Sequence, residues 1–247
     1  VAIYSTFLQR AYDQMIHDIM IQNLDVLLAI DRAGIVGADG ETHQGIYDIS
    51  FLRILPNIVL MTPSNEQELW MMLNTGLKYK GIGAVRYPRG FTEGLDLDLN
   101  DECLQIGKSK TIVRGSKIAY LVFGTLLNEV TEVAMNNGAT VIDMRFVKPI
   151  DEKTIISICQ THEYIFTIED NVILGGAGSA VNEVVNKNKI TKNIVNIGVP
   201  DNVVPHGNQN EILSDLGLDA KGIQKITNDH IQKVGNLNKK VNIQKGN

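Results

Sequence analysis

Short apolar runs alternate with segments of helical period along most of the chain. In the first part of the sequence the runs are Val26–Ile30, Ile58–Met61 and Ala84–Tyr87. A helix with a broad apolar face is predicted to start at Thr6, and Ser64 is suited to cap another. Short apolar runs indicate buried parallel strands, and their alternation with helices predicts an α/β fold.

The same alternation continues in the second part of the chain. Strands are predicted at Ile118–Phe123, Thr140–Asp143, Tyr164–Ile168 and Asn193–Ile197, and Asp151 is suited to cap a helix between them. The fold class expected from both parts is α/β, with two doubly wound, mainly parallel-sheet domains.

Two stretches break this alternation and indicate where the chain divides. Residues Glu93–Glu102, EGLDLDLNDE, are acidic and have neither a helical nor a strand period, which is typical of a linker. From Asp229 the chain is polar and rich in lysine, so we expect a frayed or disordered tail. The predicted division is residues 1–92 as the first domain, 93–107 as the linker, 108–228 as the second domain and 229–247 as the tail.

Composition and charge exclude several classes of function. The chain has 247 residues, of which 44% are hydrophobic, and a formal net charge of −5. It has no basic stripe, so we expect no nucleic-acid partner. No apolar run approaches the roughly 18–20 residues that span a bilayer. The two cysteines, Cys103 and Cys159, argue against a disulfide framework and fit a reducing compartment.

The segment Asp31–Gly45, DRAGIVGADGETHQG, is the richest in candidate chemistry. It directly follows the predicted strand Val26–Ile30 and contains five ionisable side chains and four glycines. Ligands of open α/β sheets bind at the carboxyl ends of strands, where this loop lies. Asp39 and His43 are four residues apart, and a carboxylate near an imidazole can orient it for proton transfer. A purely local hydrogen bond of the histidine is an equally open alternative.

Arginines follow two of the predicted strands of the first domain. Arg32 lies just beyond the first run, and Arg89 lies beyond the run that contains Arg86. Two arginines that converge from different loops would clamp a phosphate or a carboxylate. The alternatives are a surface ion pair of Arg32 with Asp31 or Glu41, and a structural role for Arg86 within its strand.

Two further patterns have a structural and a functional interpretation. Tyr4, Phe7 and Arg10 recur every three residues near the first helix, where an aromatic side chain belongs more often to the core than to a cofactor site. The glycines of Gly175–Ser179 open a later helix, but the stretch lacks the GxGxxG and P-loop patterns. Close packing of a helix on a strand is therefore the preferred interpretation, and no ligand is placed there.

Several of these segments together resemble one enzyme family. The chain is similar to 1-deoxy-D-xylulose-5-phosphate synthase, a thiamine diphosphate enzyme of the transketolase superfamily. The resemblance covers Val1 to about Ile226 and implies a pyrimidine-binding domain followed by the C-terminal domain of this superfamily. It rests on YSTFLQRAYDQ (Tyr4–Gln14), AIDRAGIVGADGETHQG (Ala29–Gly45), MTPS (Met61–Ser64), AVRYPRG (Ala84–Gly90), MRFVKPIDE (Met144–Glu152) and GGAGSAVNE (Gly175–Glu183).

The resemblance implies a transketolase-type reaction and a set of site residues. Pyruvate would condense with D-glyceraldehyde 3-phosphate, with loss of CO2, to give 1-deoxy-D-xylulose 5-phosphate for isoprenoid, thiamine and pyridoxal biosynthesis. The cofactors would be thiamine diphosphate and Mg²⁺. By resemblance, the catalytic residues are His43 and Asp39, the substrate-binding residues are Arg32, Arg89 and Tyr4, and the cofactor-binding residues are Phe7 and Arg10.

The chain also departs from the pattern of the family. It contains no Gly-Asp-Gly motif for the diphosphate and Mg²⁺, and Ala38-Asp39-Gly40 does not replace it. The glutamate that activates the aminopyrimidine, expected just upstream of a segment like Val1–Arg10, is absent too. Because the sequence begins at Val1 without methionine, we expect it to be the C-terminal part of a longer polypeptide, inactive without the N-terminal thiamine diphosphate-binding region.

The remaining expectations concern assembly and alternatives. The family implies a homodimer, and bacterial cytoplasm is the expected location, with a plastid as the other possibility. A 2-oxo-acid dehydrogenase β-type component is one alternative, which the arginines of a phosphate clamp disfavour. A non-catalytic dimerisation module is another, which the ionisable groups of the loop disfavour.

Overall fold

The structure is a computed structural model that describes residues 1–90, 94 and 96–245, and for residues 237–245 it describes the backbone alone. Positions 93 and 95 of the predicted linker and positions 246 and 247 of the predicted tail lie outside the described residues. No helix of the described chain is long and apolar enough to span a membrane.

The strands are short and are distributed over both halves of the chain. In chain order they are β1 (Ala2–Tyr4), β2 (Val26–Asp31), β3 (Val59–Met61), β4 (Ile82–Arg86), β5 (Lys110–Val113), β6 (Ile118–Phe123), β7 (Thr140–Asp143), β8 (Phe146–Lys148), β9 (Tyr164–Val172) and β10 (Ile194–Val199).

Helices separate most of these strands. They are α1 (Ser5–Leu8), α2 (Tyr12–Gln14), α3 (Asp48–Leu52), α4 (Glu66–Lys78), α5 (Leu127–Asn137), α6 (Glu152–Thr161), α7 (Ala177–Lys187), α8 (Gln209–Asp215) and α9 (Ala220–Lys245). Shorter 3₁₀ turns lie at Gln9–Ala11, Gly37–Asp39 and Glu41–His43, and a π turn lies at Met15–Met20.

The strands form two mainly parallel sheets, as the alternation predicts. The first has the order β1-β2-β4-β3-β8 and the second the order β10-β9-β6-β7-β5. One edge strand in each sheet is antiparallel to its neighbour, β8 beside β3 and β5 beside β7. The predicted α/β class with two doubly wound sheets is therefore confirmed.

Strand β8 links the two sheets through the chain itself. It follows β7 of the second sheet but pairs with β3 of the first, after Arg145 adopts a left-handed φ of 58°. Its Phe146 is fully buried among Val59, Met61 and Val85. Strands β8 and β1 were not predicted from the sequence, because runs of three residues carry too little periodicity to be recognised, and the exposed edge strand β5 was not predicted either.

The two sheets share one core, and the second sheet has another on its outer face. In β6, Leu121 and Phe123 face the shared core, where Ile30 and Leu60 of the first sheet lie. Tyr120, on the opposite face of β6, packs in the second core with residues of α5, α8 and α9. A fully buried strand thus alternates between two apolar environments, which explains its continuous apolar run.

The polar tail differs from the expectation. Helix α9 continues through Asp229 to Lys245, where we expected frayed or disordered chain. The first turns of the helix are anchored in the protein, because Ile223 and Thr227 are buried and Ile231 packs partly against the second core. A helix anchored in this way extends into a polar sequence, since adding further residues to an existing helix costs less than nucleating one.

Candidate active site

The loop between β2 and α3 has a defined shape. Gly34 and Gly45 form an antiparallel bridge that closes its base, with N–O distances of 2.7 and 2.9 Å. Between them lie the 3₁₀ turns Gly37–Asp39 and Glu41–His43. Gly45 allows this closure, because a Cβ there would lie 2.1 Å from the carbonyl oxygen of Arg32.

Two arginines converge on one carboxylate in this loop. Arg32 Nη1 pairs with Asp39 Oδ2, and Arg89 Nη1 pairs with Asp39 Oδ1. Burial raises the pKa of the Asp39 carboxyl, but hydrogen bonds from Arg89 and Arg32 outweigh this and hold the pKa below its usual value. Arg32 adopts a left-handed φ of 55°, which is uncommon for a residue other than glycine.

An aromatic surface lies next to the arginine pair. The hydroxyl of Tyr4 accepts a hydrogen bond of 3.0 Å from Arg32 Nη2, and the guanidinium lies 4.2 Å from the centre of the Tyr4 ring. The rings of Tyr4 and Phe7 stack with centroids 5.1 Å apart. Phe7 in turn contacts His43 edge-on at 5.9 Å, and the Arg10 guanidinium lies 5.7 Å from its centre. All seven residues chosen from the sequence therefore meet at one edge of the first sheet.

His43 does not pair with Asp39, although the sequence spacing suggested it. The histidine Nδ1 lies 3.0 Å from the Thr42 hydroxyl, while both carboxylate oxygens of Asp39 bind arginines. Of the two alternatives that the sequence left open for His43, the structure thus shows the local hydrogen bond and not the pairing with Asp39. The cause is competition, since both oxygens of Asp39 are already held by guanidinium groups, which form charge-assisted hydrogen bonds with a carboxylate.

Comparisons with known proteins identify the family of the chain. The family model "Transketolase, pyrimidine binding domain" matches residues 1–93, and "Transketolase, C-terminal domain" matches residues 107–223. The 1-deoxy-D-xylulose-5-phosphate synthase of Idiomarina loihiensis is 56% identical over 233 residues, which are 94% of this chain and 38% of that protein. The chain belongs to the 1-deoxy-D-xylulose-5-phosphate synthase family.

Other members of the 1-deoxy-D-xylulose-5-phosphate synthase family are equally similar. The Vibrio campbellii enzyme is 54% identical over 94% of this chain and 38% of its own length, and a Haemophilus influenzae enzyme is 56% identical over 96% and 38%. The chain thus spans just over a third of the length of the curated relatives that it matches.

Solved transketolase structures have the same fold. "Split gene transketolase, inactive beta4 tetramer" superposes with a TM-score of 0.81 at 24% identity, over 91% of this chain and 73% of that one. The Campylobacter jejuni transketolase gives a TM-score of 0.71 at 16% identity, over 92% of this chain and 35% of that one.

Arg86 has a structural role in this member of the family. It is 3% exposed, and its Nε lies 3.0 Å from Asp48 Oδ1 while its Nη1 binds Asp170 of the second sheet. Its Nη2 also donates to the Gly45 carbonyl at 3.3 Å. The sequence left open whether Arg86 binds a ligand or has a structural role, and these contacts show the structural role at the base of the loop. Arg89 is therefore the second arginine of the pair.

The glycine-rich turn before α7 is filled by the protein itself. The buried Glu169 carboxylate accepts hydrogen bonds of 2.8 Å from the backbone amides of Ala177 and Gly178. A Cβ at Gly176 would lie 2.3 Å from Glu169 Oε2, so the glycine permits the close approach of helix and strand. Burial raises the pKa of Glu169 to about 8. The preference for packing over phosphate binding at this turn agrees with these contacts.

A cavity of about 350 Å³ opens beside Arg89 between the two sheets. Asp170 at the end of β9 and Gln209 at the start of α8 lie in its wall. Sequence reasoning missed both residues, although the polar triplet Glu169-Asp170-Asn171 directly after a predicted strand was the available signal. Within the described residues, no group of three or more His, Cys, Asp or Glu side chains is placed to hold a metal ion.

Proposed function

We propose that this chain supplies the substrate-facing part of a 1-deoxy-D-xylulose-5-phosphate synthase. The enzyme would condense pyruvate with D-glyceraldehyde 3-phosphate, release CO2 and form 1-deoxy-D-xylulose 5-phosphate. The observation that carries the proposal is the convergence of Arg32 and Arg89 beside the ring of Phe7 and the imidazole of His43. The curated relatives bear this enzyme's name.

The arginine pair is proposed to bind the phosphate of the aldehyde substrate. Arg32, Arg89 and Asp39 together carry one net positive charge, and an incoming dianion offers more acceptor oxygens than the single carboxylate of Asp39. Arg89 is 55% exposed at its side chain, so a ligand can reach it from solvent. Asp39 then acts as an internal counter-ion that keeps the two guanidinium groups together before the phosphate arrives.

The aromatic surface is proposed to contact the cofactor. Phe7 is 42% exposed although it is flanked by Tyr4, Arg10 and His43, and an exposed ring in such a setting fits a flat ligand ring. Thiamine diphosphate, when bound, would supply the carbon atom that carries the two-carbon group of pyruvate to the aldehyde. Phe7 and Arg10 would hold its aminopyrimidine ring, whereas the groups that bind the diphosphate and Mg²⁺ are proposed to lie outside this chain.

His43 and Asp39 are proposed to be the catalytic pair, acting separately. His43 lies at the edge of the Phe7 ring, where it can donate a proton to, or accept one from, the reacting oxygen of a substrate. Asp39 changes its partners when phosphate occupies the arginines, which frees its carboxylate to accept a hydrogen bond from a substrate hydroxyl. Tyr4 supports Arg32 through its hydroxyl and its ring.

The domain division, the oligomeric state and the location are further parts of the proposal. We propose a division near residues 93–107, a homodimer, and an N-terminal thiamine diphosphate-binding region as the partner needed for activity. The two family models on either side of this stretch support the division, and the greater length of the relatives supports a further region in the complete enzyme. The named relatives are bacterial, so bacterial cytoplasm is the proposed location.

Reconstitution tests this proposal. The 247-residue chain is assayed alone and together with the proposed thiamine diphosphate-binding region, with pyruvate, D-glyceraldehyde 3-phosphate, thiamine diphosphate and Mg²⁺. We expect 1-deoxy-D-xylulose 5-phosphate only when both parts are present. Thiamine-dependent decarboxylation by the chain alone would contradict the need for a partner, and no product from the complete enzyme would contradict the function.

A further inference from the structure

The loop that carries Arg32 and Asp39 is built partly into the second half of the molecule. Ile35 and Ile46, which flank the loop's base, are 2% and 1% exposed and belong to the core of the second sheet. The Ile46 carbonyl accepts a hydrogen bond of 2.9 Å from the Val172 amide at the end of β9. Fixing a loop with four glycines in one conformation costs much conformational entropy, and these contacts with the second half of the molecule offset that cost.

Asp170 supports the base of this loop through Arg86. Its carboxylate binds Arg86 Nη1, and Arg86 Nη2 donates to the Gly45 carbonyl, which is itself part of the bridge to Gly34. Gly34 has a φ of 76°, and a Cβ there would lie 2.1 Å from Asp170 Oδ2. The carboxylate therefore fills the space next to the bridge, and only glycine fits opposite it.

Gln209 supports the upper part of the loop directly. Its side-chain Nε2 donates a hydrogen bond of 2.6 Å to the Ile35 carbonyl. The start of α8 also packs closely against the turn. A Cβ at Gly37 would lie only 2.7 Å from the Gln209 amide nitrogen. On the other side of the loop, Gln44 accepts from the Val36 amide at 2.9 Å and donates to the Pro205 carbonyl at 3.2 Å.

We propose that Gln209 and Asp170 are positioning residues, which fix the distance between Arg32 and Asp39 so that the phosphate-binding arginine pair is formed before the substrate arrives. The inference rests on the proposed function for its catalytic consequence, but its structural content stands on the contacts alone. Gln209 holds the segment just before the turn Gly37–Asp39, and Asp170 holds the bridge two residues after Arg32. The second half of the chain would thus act on substrate binding through the shape of the loop.

Gln209→Ala is the first variant, because Gln209 is only half-buried and its loss removes one hydrogen bond. Gln209→Glu keeps the shape of the side chain but loses the donor, and it replaces the alanine variant should that one fail to fold. Gln224→Ala is the matched control, since Gln224 is also half-buried in the second half but bonds within its own helix, to Asn228.

Two measurements separate the inference from the proposed function. The first is amide hydrogen exchange of residues 33–44 in the 247-residue chain, with strand β6 as the internal reference. The second is the KM for D-glyceraldehyde 3-phosphate and for pyruvate in the enzyme reconstituted with its N-terminal region.

In Gln209→Ala we expect loop exchange to rise about three- to tenfold with β6 unchanged, as for the loss of one hydrogen bond. The KM for D-glyceraldehyde 3-phosphate should rise by a similar factor, and the KM for pyruvate by less than about twofold. Loop exchange equal to that of Gln224→Ala would overturn the inference, whatever the activity. Faster exchange with an unchanged KM for the aldehyde would overturn it as well. If the unsubstituted complete enzyme makes no product, the proposed function fails, and the exchange measurement still decides whether Gln209 holds the loop.

Discussion

Replacing Arg86 with methionine removes the only cation that is shown in contact with the buried carboxylates of Asp48 and Asp170 among the described residues. Arg86, Asp48 and Asp170 are 3%, 0% and 6% exposed, so water cannot replace the lost charge. Methionine keeps most of the aliphatic volume of the arginine, and the change therefore isolates the charge and its hydrogen bonds. It also removes the bond to the Gly45 carbonyl.

The magnitude follows from this burial. Removal of one partner from a buried ion pair costs about 3–5 kcal/mol, because the other charge stays buried without compensation. Here two carboxylates lose their partner, so we expect about 5 kcal/mol. For a chain of this size one kcal/mol corresponds to about 2–4 °C, which gives a fall in Tm of about 10–20 °C.

The loss should also depend on pH. Burial already raises the pKa of Asp48, with Arg86 opposing the rise, and without Arg86 the pKa goes higher still. A carboxyl whose folded pKa exceeds its unfolded pKa stabilises the fold at low pH, and this contribution is lost as the pH rises through the folded value. The destabilisation of Arg86→Met should therefore be smaller at pH 5 than at pH 8.

Thermal unfolding followed by circular dichroism at pH 8 and pH 5 measures both effects. Arg114→Met is the control, since Arg114 is exposed on the loop after β5. A fall in Tm of less than about 3 °C at pH 8, or an equal fall at both pH values, would refute the reasoning about buried charge.

The other predictions concern single side chains. Burial raises the pKa of Glu169 from 4.5 to about 8, so its stabilising contribution is complete below about pH 4.5 and is lost towards pH 8. Between pH 5 and pH 8 the free energy of unfolding of Glu169→Gln, measured by urea titration, should therefore fall less than that of the unsubstituted chain. Asp39→Asn removes the negative charge that competes for the arginines but keeps a hydrogen-bond acceptor between them, and calorimetry should show inorganic phosphate binding about two- to fivefold tighter. Phe7→Ala should weaken thiamine diphosphate binding about three- to tenfold in the reconstituted enzyme, measured by cofactor titration.

The sequence was most informative where chemistry and topology coincide. Arg32 and Arg89 follow the parallel neighbours β2 and β4, and parallel strands bring their carboxyl ends to one edge, so their meeting could be predicted. The sequence could not predict which charged groups pair with each other. Asp39 lies four residues from His43 and seven from Arg32, so the spacing favoured the histidine, and only the folded positions show that Asp39 binds the arginines.

Long-range contacts account for the rest. The contacts that were not predicted join residues far apart in the sequence. Beside β8, the Thr62 hydroxyl donates to the Arg145 carbonyl across 83 positions, and the pair of Arg86 with Asp170 spans 84. Gln209 lies 174 positions from Ile35, and no local period or motif records such a pairing. The extension of helix α9 was not predicted for a similar reason, because its buried anchors Ile223 and Thr227 precede the polar segment and contact distant parts of the chain.

The most direct test of the account compares two aldehydes in the Arg89→Ala enzyme, reconstituted with its N-terminal region. D-glyceraldehyde 3-phosphate and D-glyceraldehyde differ only in the phosphate that Arg32 and Arg89 are proposed to bind. We predict that kcat/KM falls about 10- to 100-fold for the phosphorylated aldehyde, as for the loss of a charge-assisted contact, and hardly changes for D-glyceraldehyde and for pyruvate. Equal losses for the two aldehydes, or for the aldehyde and pyruvate, would contradict the phosphate-binding role of the arginine pair.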